Sequence, residues 1–498
     1  MSRGTSAERA WFKKREPYSV LVSQTEDNAY VAESGTTGEI LYGPTGDARA
    51  LFENVIASDE KILIGPGTYY INDDVPIGAI SNFILKGSGA GTLLKIPDGC
   101  TTTLAMLNFS GAASKIKIED IYFDGNRRTN FPTTKTEISE YVQVGVSFTG
   151  DTDGITIKNC WFRDFLHEGL WLPHTGTHTN TKISFNTFWE GIYGAWLEKA
   201  AGSIITNNHF LSHYQRCLTL SIAVSDICER NIIGKNYFYA VTDDASYPSR
   251  PINLINGMND TIIAHNVIEG AAWEGILAIG DRNIITKNRI TTYGKGNGNG
   301  ISATGNDIII SGNILYSIGE NGVKLLGPSS GVIIAHNIID DVSLAFGQTN
   351  GKAAIKVDAT NGTIQKVSIK HNLIKQPTAA KAQYAIATGW GTISDILCHD
   401  NDMYDTSNFS TVILGPNSIK DNRNFNPQAA STPTVPASPA TFGPYSYRAL
   451  LVITGGTVSS IALRGLATGL TSGSFVLEVG DTLVITYTST PTVKLYPL

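Results

Sequence analysis

The chain has 498 residues, with 38 Lys+Arg against 44 Asp+Glu and a net charge of −6. This mildly acidic balance gives no basis for a nucleic-acid partner, which would need a local basic patch. Charged residues make up only 16 % of the chain, and the five cysteines (Cys100, Cys160, Cys217, Cys228, Cys398) lack the close spacing of a zinc site. They are also too sparse for a disulfide scaffold, although one disulfide is compatible with the spacing. The charged stretch from Met1 to Arg15 contains no apolar h-region, so no signal peptide is visible, and no run of eighteen apolar residues predicts a membrane span.

In chain order, Tyr18–Val22 and Asn28–Val31 read as two strands of a short accessory segment over 1–44. Asp47 to Ala57 reads as a short amphipathic helix with Asp47 as N-cap. Lys61-Ile62-Leu63-Ile64 follows, then Gly65-Pro66-Gly67-Thr68-Tyr69, then Phe83-Ile84-Leu85-Lys86-Gly87-Ser88-Gly89-Ala90-Gly91. This last glycine-rich stretch lacks the Lys-Ser/Thr of a phosphate-binding loop and is not followed by a helical pattern.

From about residue 115 one phrase recurs: three or four alternating residues, an Asn, then a bulky apolar residue two or three positions on. Ile155-Thr156-Ile157-Lys158-Asn159-Cys160-Trp161-Phe162, Lys182-Ile183-Ser184-Phe185-Asn186-Thr187-Phe188 and Ile204-Ile205-Thr206-Asn207-Asn208-His209-Phe210 are successive copies. It returns around Asn236, Asn266, Asn288, Asn313, Asn337, Asn372, Asn401 and Asn422, with Asp120 in the Asn place of an earlier copy. The intervals mostly run from 21 to 30 residues, a solenoid period. Such spacing predicts an all-β chain, a right-handed parallel β-helix whose stacked coils bury β-branched residues such as Ile262, Ile284, Ile309 and Ile333. The recurring Asn suits a left-handed turn, and its amide can bond the Asn one coil away. A leucine-rich repeat would need an L-x-x-L-x-L frame that is absent. The helix before the first coil caps an otherwise open end.

The helix, the strand, the Gly-Pro-Gly-Thr-Tyr stretch and the Lys-Gly-Ser-Gly turn together resemble the entrance of pectate-lyase-like β-helices, including phage tailspike-type polysaccharide depolymerases. The resemblance covers residues 45–425 and implies a glycan-binding or catalytic solenoid. It does not specify the reaction, because such proteins include lyases, hydrolases, epimerases and adhesins. The Asp-Pro-His-Asp signature of alginate-type epimerases is missing: Leu172 precedes Pro173-His174, and Thr175 follows. Residues 426–444 read as a Pro/Ser/Thr/Ala-rich linker, and 445–498 as a small β domain with alternating strands. The likeness to tailspikes, together with this terminal module, leads to the expectation of a homotrimer that is extracellular or virion-associated.

The strand after each Asn unit supplies candidate site residues. Aligning Glu168-Gly169-Leu170-Trp171, Glu190-Gly191-Ile192-Tyr193, Arg216-Cys217-Leu218-Thr219, Arg250-Pro251-Ile252-Asn253 and Glu274-Gly275-Ile276-Leu277 gives two rows. The outward row is then Trp171, Tyr193, Thr219, Asn253, Leu277, Ser302 and Lys324, and the edge row is Glu168, Glu190, Arg216, Arg250, Glu274, Asn299 and Asn321. Read blandly, the edge row is an ion-pair ladder closing a turn. Read functionally, it is a polar trough beside aromatic platforms, which is how sugars are held. On the second reading Glu168 and Glu190 are the acid and base of a glycoside hydrolase. Arg216 and Arg250 join them, and Trp171, His174, Tyr193, Asn253, Glu274, Asp124, Asp243 and Asp244 contact substrate. The alternatives are a lyase cleaving a uronic-acid glycan, with Arg216, Arg250 or Tyr193 as base or charge neutraliser, and a non-catalytic adhesin. No cofactor is expected. Ca2+ enters only with lyase chemistry, where Asp243-Asp244 would be the place for it. His265, His336 and His371 each precede a repeated Asn and read as scaffold, whereas His174 and His178 could join the groove or a metal site.

Overall fold

The computed structural model describes the chain except residues 1–17, 134–140, 222–227, 240–249, 256, 271–272, 293–297, 345–350, 379–381, 390, 405–407, 410, 415–417, 421, 423–431, 446–447, 479 and 498. Asp243 and Asp244 therefore lie outside the described residues.

The chain is a right-handed parallel β-helix. Each coil contributes a longer strand to one face and three-residue strands to two others, as in Tyr193–Glu198, Ile204–Thr206 and His209–Leu211. Coil pairs with coil in parallel on every face, and thirteen strands stack on the third. The cap helix α1 (Ala48–Val55) is as expected. The Asp47 side chain accepts from the Ala50 N–H, and Leu51, Phe52 and Val55 face inward. The strand Val20–Gln24 pairs in parallel with Lys61–Ile64, so Val20 and Val22 join the solenoid core.

The core is layered by residue type along the axis. Phe123, Phe162, Phe188, Phe210 and Phe238 stack face to face, with centroids 4.7–4.9 Å apart. Isoleucines line the second face, but one residue away from the expected positions. Ile263, Ile285, Ile310 and Ile334 are fully buried, while Ile262, Ile284, Ile309 and Ile333 point outward. Consecutive isoleucines occupy both faces of the strand, and alternation cannot choose between two equally apolar neighbours.

The asparagine ladder is present. From Asn186 to Asn422, each backbone N–H and each side-chain Nδ2 bonds the Oδ1 of the next Asn, as in Asn266 to Asn288 at 3.0 Å for both. The left-handed residue is the one before it: His265, His336 and His371 have φ of 58°, 56° and 53°. This confirms them as scaffold. It also moves the repeat by one in the early copies, where Cys160 rather than Asn159 takes the ladder place, its N–H bonding Asn186 Oδ1 and its Sγ bonding the Ile118 and Lys158 carbonyls. Asp120 and Asn159 are the left-handed residues there.

All five cysteines are free, so the disulfide that the spacing left open does not form. The terminal module has its own core of two antiparallel sheets, and its first strand, Ala440–Phe442, comes from the Pro-rich segment and pairs with Leu483–Ile485. No described helix is long and apolar enough to cross a membrane.

Candidate functional site

The longer strands form a broad face whose outward side chains fall into three parallel rows. Strand register sets the middle row as Ser147, Trp171, Trp196, Thr219, Asn253, Leu277, Ser302, Lys324 and Lys356. Trp171 is thus matched by Trp196, and the expected partner, Tyr193, pairs with Glu168 in the edge row. The alignment through Glu190 was three residues out. Glu190-Gly191 repeats the look of Glu168-Gly169, but the true counterpart is Gly194-Ala195-Trp196-Leu197 against Gly169-Leu170-Trp171-Leu172. The Gly-x-Trp-Leu signal could have found it.

The edge row consequently runs Glu168, Tyr193, Arg216, Arg250. Glu168 is 2 % exposed, with one carboxylate oxygen lacking a hydrogen bond among the described residues and His167 Nδ1 3.5 Å from it. Tyr193 is buried rather than a platform and donates its hydroxyl to Gln215 Oε1 at 2.7 Å. The Arg216 guanidinium lies over the rings of Tyr193 (5.8 Å) and Trp196 (5.4 Å). Arg250 pairs with Glu274 at 2.8 Å and stacks on Trp273 at 4.2 Å, so this part of the row is the ion-pair ladder of the bland reading.

Glu190 does not share the face with Glu168. It occupies a left-handed corner (φ 58°), and its carboxylate meets Arg128 at 2.8 Å. Arg127 and Arg128 belong to a single helical turn, α2 (Arg127–Asn130), laid over this corner. Both also pair with Asp164, at 3.1 and 3.3 Å. Burial lifts the Asp164 carboxyl above the ordinary carboxylate range against the pull of both arginines. Asp124 lies on the third face, in register with Arg163. It accepts from the Asn126 N–H, which makes it a turn residue rather than part of the trough.

A polar cluster that sequence reasoning missed surrounds the two indoles. Glu198, two residues beyond Trp196 on the same strand, accepts from the His174 N–H at 2.6 Å and faces His174 Nδ1 at 3.1 Å. Its other oxygen accepts from Ser221 Oγ at 3.3 Å, and Ser221 in turn accepts from the Trp196 indole N–H at 3.0 Å. His174 is 61 % exposed, so a ring held from one side by a carboxylate presents Nε2 outward. His178 plays a different part from the groove or metal role considered for it. It is fully buried, its Nε2 donates to the Pro173 carbonyl at 2.9 Å, and its Nδ1 accepts from Thr152 Oγ1 at 3.0 Å. Burial keeps its pKa below the usual histidine range, and the neutral ring pins the turn that displays His174. Asn253 lies on the middle row as expected. It is fully buried, with both amide atoms lacking partners among the described residues.

The arrangement offers an aromatic floor, a carboxylate–histidine pair on one side of it and a guanidinium on the other. A family model described as "Periplasmic copper-binding protein (NosD)" matches residues 79–247. No curated protein matches the chain. Among solved structures, the Dettilon tailspike protein is similar at 17 % identity with a TM-score of 0.51, covering 95 % of this chain and 93 % of that one. The alginate lyase AlyF-OU02 is similar at 14 % identity with a TM-score of 0.51, over 78 % and 86 % of the two chains. At these identities the likeness is one of fold.

Proposed function

Taking as premise that this chain is a right-handed parallel β-helix of the pectate-lyase-like kind, we propose that it is a polysaccharide depolymerase that lays a glycan across Trp171 and Trp196. The observation that carries this reading is the pair of register-matched, half-exposed indoles between Arg216 and the His174–Glu198 pair. Sugars stack their apolar faces on such rings and present hydroxyls to flanking polar groups. The similar alginate lyase, an enzyme that acts on a polysaccharide, supports the substrate class.

Hydrolysis is the first chemistry to test. Glu198, which accepts hydrogen bonds on both oxygens, suits the role of base, and His174 is the exposed group beside it that can carry a proton. The Glu168–Glu190 pairing loses its basis once Glu190 is engaged by Arg128. Glu168 is offset from Glu198 by five strand residues, about 16 Å along the face, which is longer than the roughly 5–10 Å that two hydrolytic carboxyls require. Elimination is the second reading, favoured by the same histidine: His174 Nε2 as base and Arg216 neutralising a uronate carboxylate. Binding without turnover is the remaining alternative, and a homotrimeric, extracellular or virion-borne protein accords with the tailspike likeness. A polysaccharide panel scored for new reducing ends and for the ultraviolet absorbance of unsaturated products separates the three. Trp196→Ala is expected to weaken glycan binding by about tenfold or more. Unchanged binding by that variant would remove the indole pair from the site.

A further inference from the structure

We infer that His336, His371 and His399 form a binding site for a divalent transition-metal ion of the zinc or nickel kind, on the corner that carries the asparagine ladder. The site lies off the long-strand face and does not depend on the glycan reading.

The three histidines sit on successive coils, beside the ladder residues Asn337, Asn372 and Asn401. His336 and His371 occupy the left-handed place before the ladder Asn. That turn does not require imidazole, since Lys235, Lys287 and Gly312 fill it in other coils. His265 fills it too, but Lys235 and Lys287 hold the same place in the coils on either side of it. His336 and His371 are adjacent, and their rings stack with centroids 4.9 Å apart. His399 brings a third ring to 6.0 Å from His371, at 76° to it. Imidazoles bound to one ion at about 2.0–2.1 Å hold their ring centres about 4.5–6.5 Å apart. Both separations fall in that range.

The backbone under these rings is fixed by the coils. The His336 N–H donates to the Lys370 carbonyl at 3.2 Å, and the His399 carbonyl accepts from Asn401 Nδ2 at 3.0 Å. Only the rings need to turn. As they stand, no three ligating groups among the described residues converge on one point. His336 and His371 are exposed, and the torsion that swings an imidazole about its Cβ–Cγ bond is broad.

A second observation comes from His399. Its Nδ1 donates to Asp400 Oδ2 at 2.6 Å. A carboxylate on one ring nitrogen fixes the tautomer that leaves Nε2 as an electron-pair donor, which is how metal-ligating histidines are held. Lys370, opposite His399 in register, works against a cation here, and Asp400 offsets it. Imidazole selects zinc, nickel or copper ions, whereas calcium and magnesium take oxygen ligands. The ion would clip together coils separated by the 35-residue interval from Asn337 to Asn372.

The competing explanation is that the rings stack only because the coils do. The test uses the full chain, stripped of metal by a chelator, in calorimetric titrations with Zn2+, Ni2+, Ca2+ and Mg2+. Zn2+ and Ni2+ should each bind one ion per chain in the micromolar range or tighter, and Ca2+ and Mg2+ should not bind. His371→Lys introduces a residue that the same turn accepts elsewhere. It and His399→Gln should each weaken Zn2+ binding about tenfold or more at an unchanged metal-free melting temperature, whereas His265→Lys and His174→Ala should leave binding as it is. Zn2+ should also slow modification of His336 and His371 by diethylpyrocarbonate several-fold, with His265 unaffected. Zn2+ binding no tighter than millimolar, equal affinity in His371→Lys, or loss of binding in His174→Ala would each overturn the inference.

Discussion

Two rows that carry buried polar side chains run along this solenoid, and they are finished differently. At the turn between the second and third faces, asparagines bond one another from coil to coil. Asn288 receives the N–H and Nδ2 of Asn266 and donates to the Ile263 carbonyl at 2.9 Å. On the middle row of the first face, Ser147, Thr219, Asn253 and Ser302 are as deeply buried, at 0–2 % exposure, yet have side-chain atoms with no partner among the described residues. Buried polar atoms are normally paired, because each one left alone costs about 1–3 kcal/mol. The saturated row is scaffold. The unsaturated row is where the molecule holds donors and acceptors in reserve.

The contrast can be tested from its strong end to its weak one. Asn288→Ala strips Asn266 of its acceptor and Ile263 of its donor, and should cost about 4 kcal/mol in urea unfolding; a cost below 1 kcal/mol would mean that the ladder is not what holds the coils in register. His213 is a buried polar group inside the coils, with Nδ1 3.3 Å from the Gly191 carbonyl, and burial brings its pKa down to about 4. The unfolded chain binds that proton near pH 6.5, so the contribution is whole above this value and drains as pH falls toward 4, by roughly 3 kcal/mol. His213→Phe should flatten this acid slope, and an identical slope in both proteins would refute it. Glu190→Gln should cost at most about 1 kcal/mol, since it loosens one partly exposed ion pair, and should leave turnover on a cleaved glycan intact. Loss of turnover at unchanged melting would return Glu190 to the mechanism. Asn253→Leu should leave stability level or slightly raised, because it removes unsatisfied atoms without changing shape much. A large destabilisation would show that Asn253 has structural partners after all.

Much of the architecture was legible because it repeats. The period, the cap helix behind Asp47, the ladder and the terminal β module all follow from local patterns multiplied by stacking. What failed was phase. The Ile-Ile doublets hid which member faces inward, and the ladder place fell one residue after Asn159. The Glu190-Gly191 dipeptide imitated Glu168-Gly169 closely enough to shift a whole coil by three. Phase errors cost little in naming a fold but much in naming a site, because one residue turns a side chain to the opposite face. The contact of His174 with Glu198 was invisible without the register that Trp196 reveals.

The ladder also sets the unit in which this molecule can be lengthened or shortened. Successive ladder asparagines are 22, 25, 24 and 35 residues apart between Asn266 and Asn372, yet each makes the same two bonds to its successor. The joint is indifferent to how much chain lies between, provided the chain returns to the same place. Excising Val267–Asn288, the 22 residues from one joint to the next, would bring Asn266 directly onto Asn313 and leave the ladder unbroken, whereas removing one residue more or fewer would put a wrong side chain in the socket. Gain and loss of whole coils is thus a route of descent open to this chain, and one that changes the length of its long-strand face in steps of about 4.8 Å.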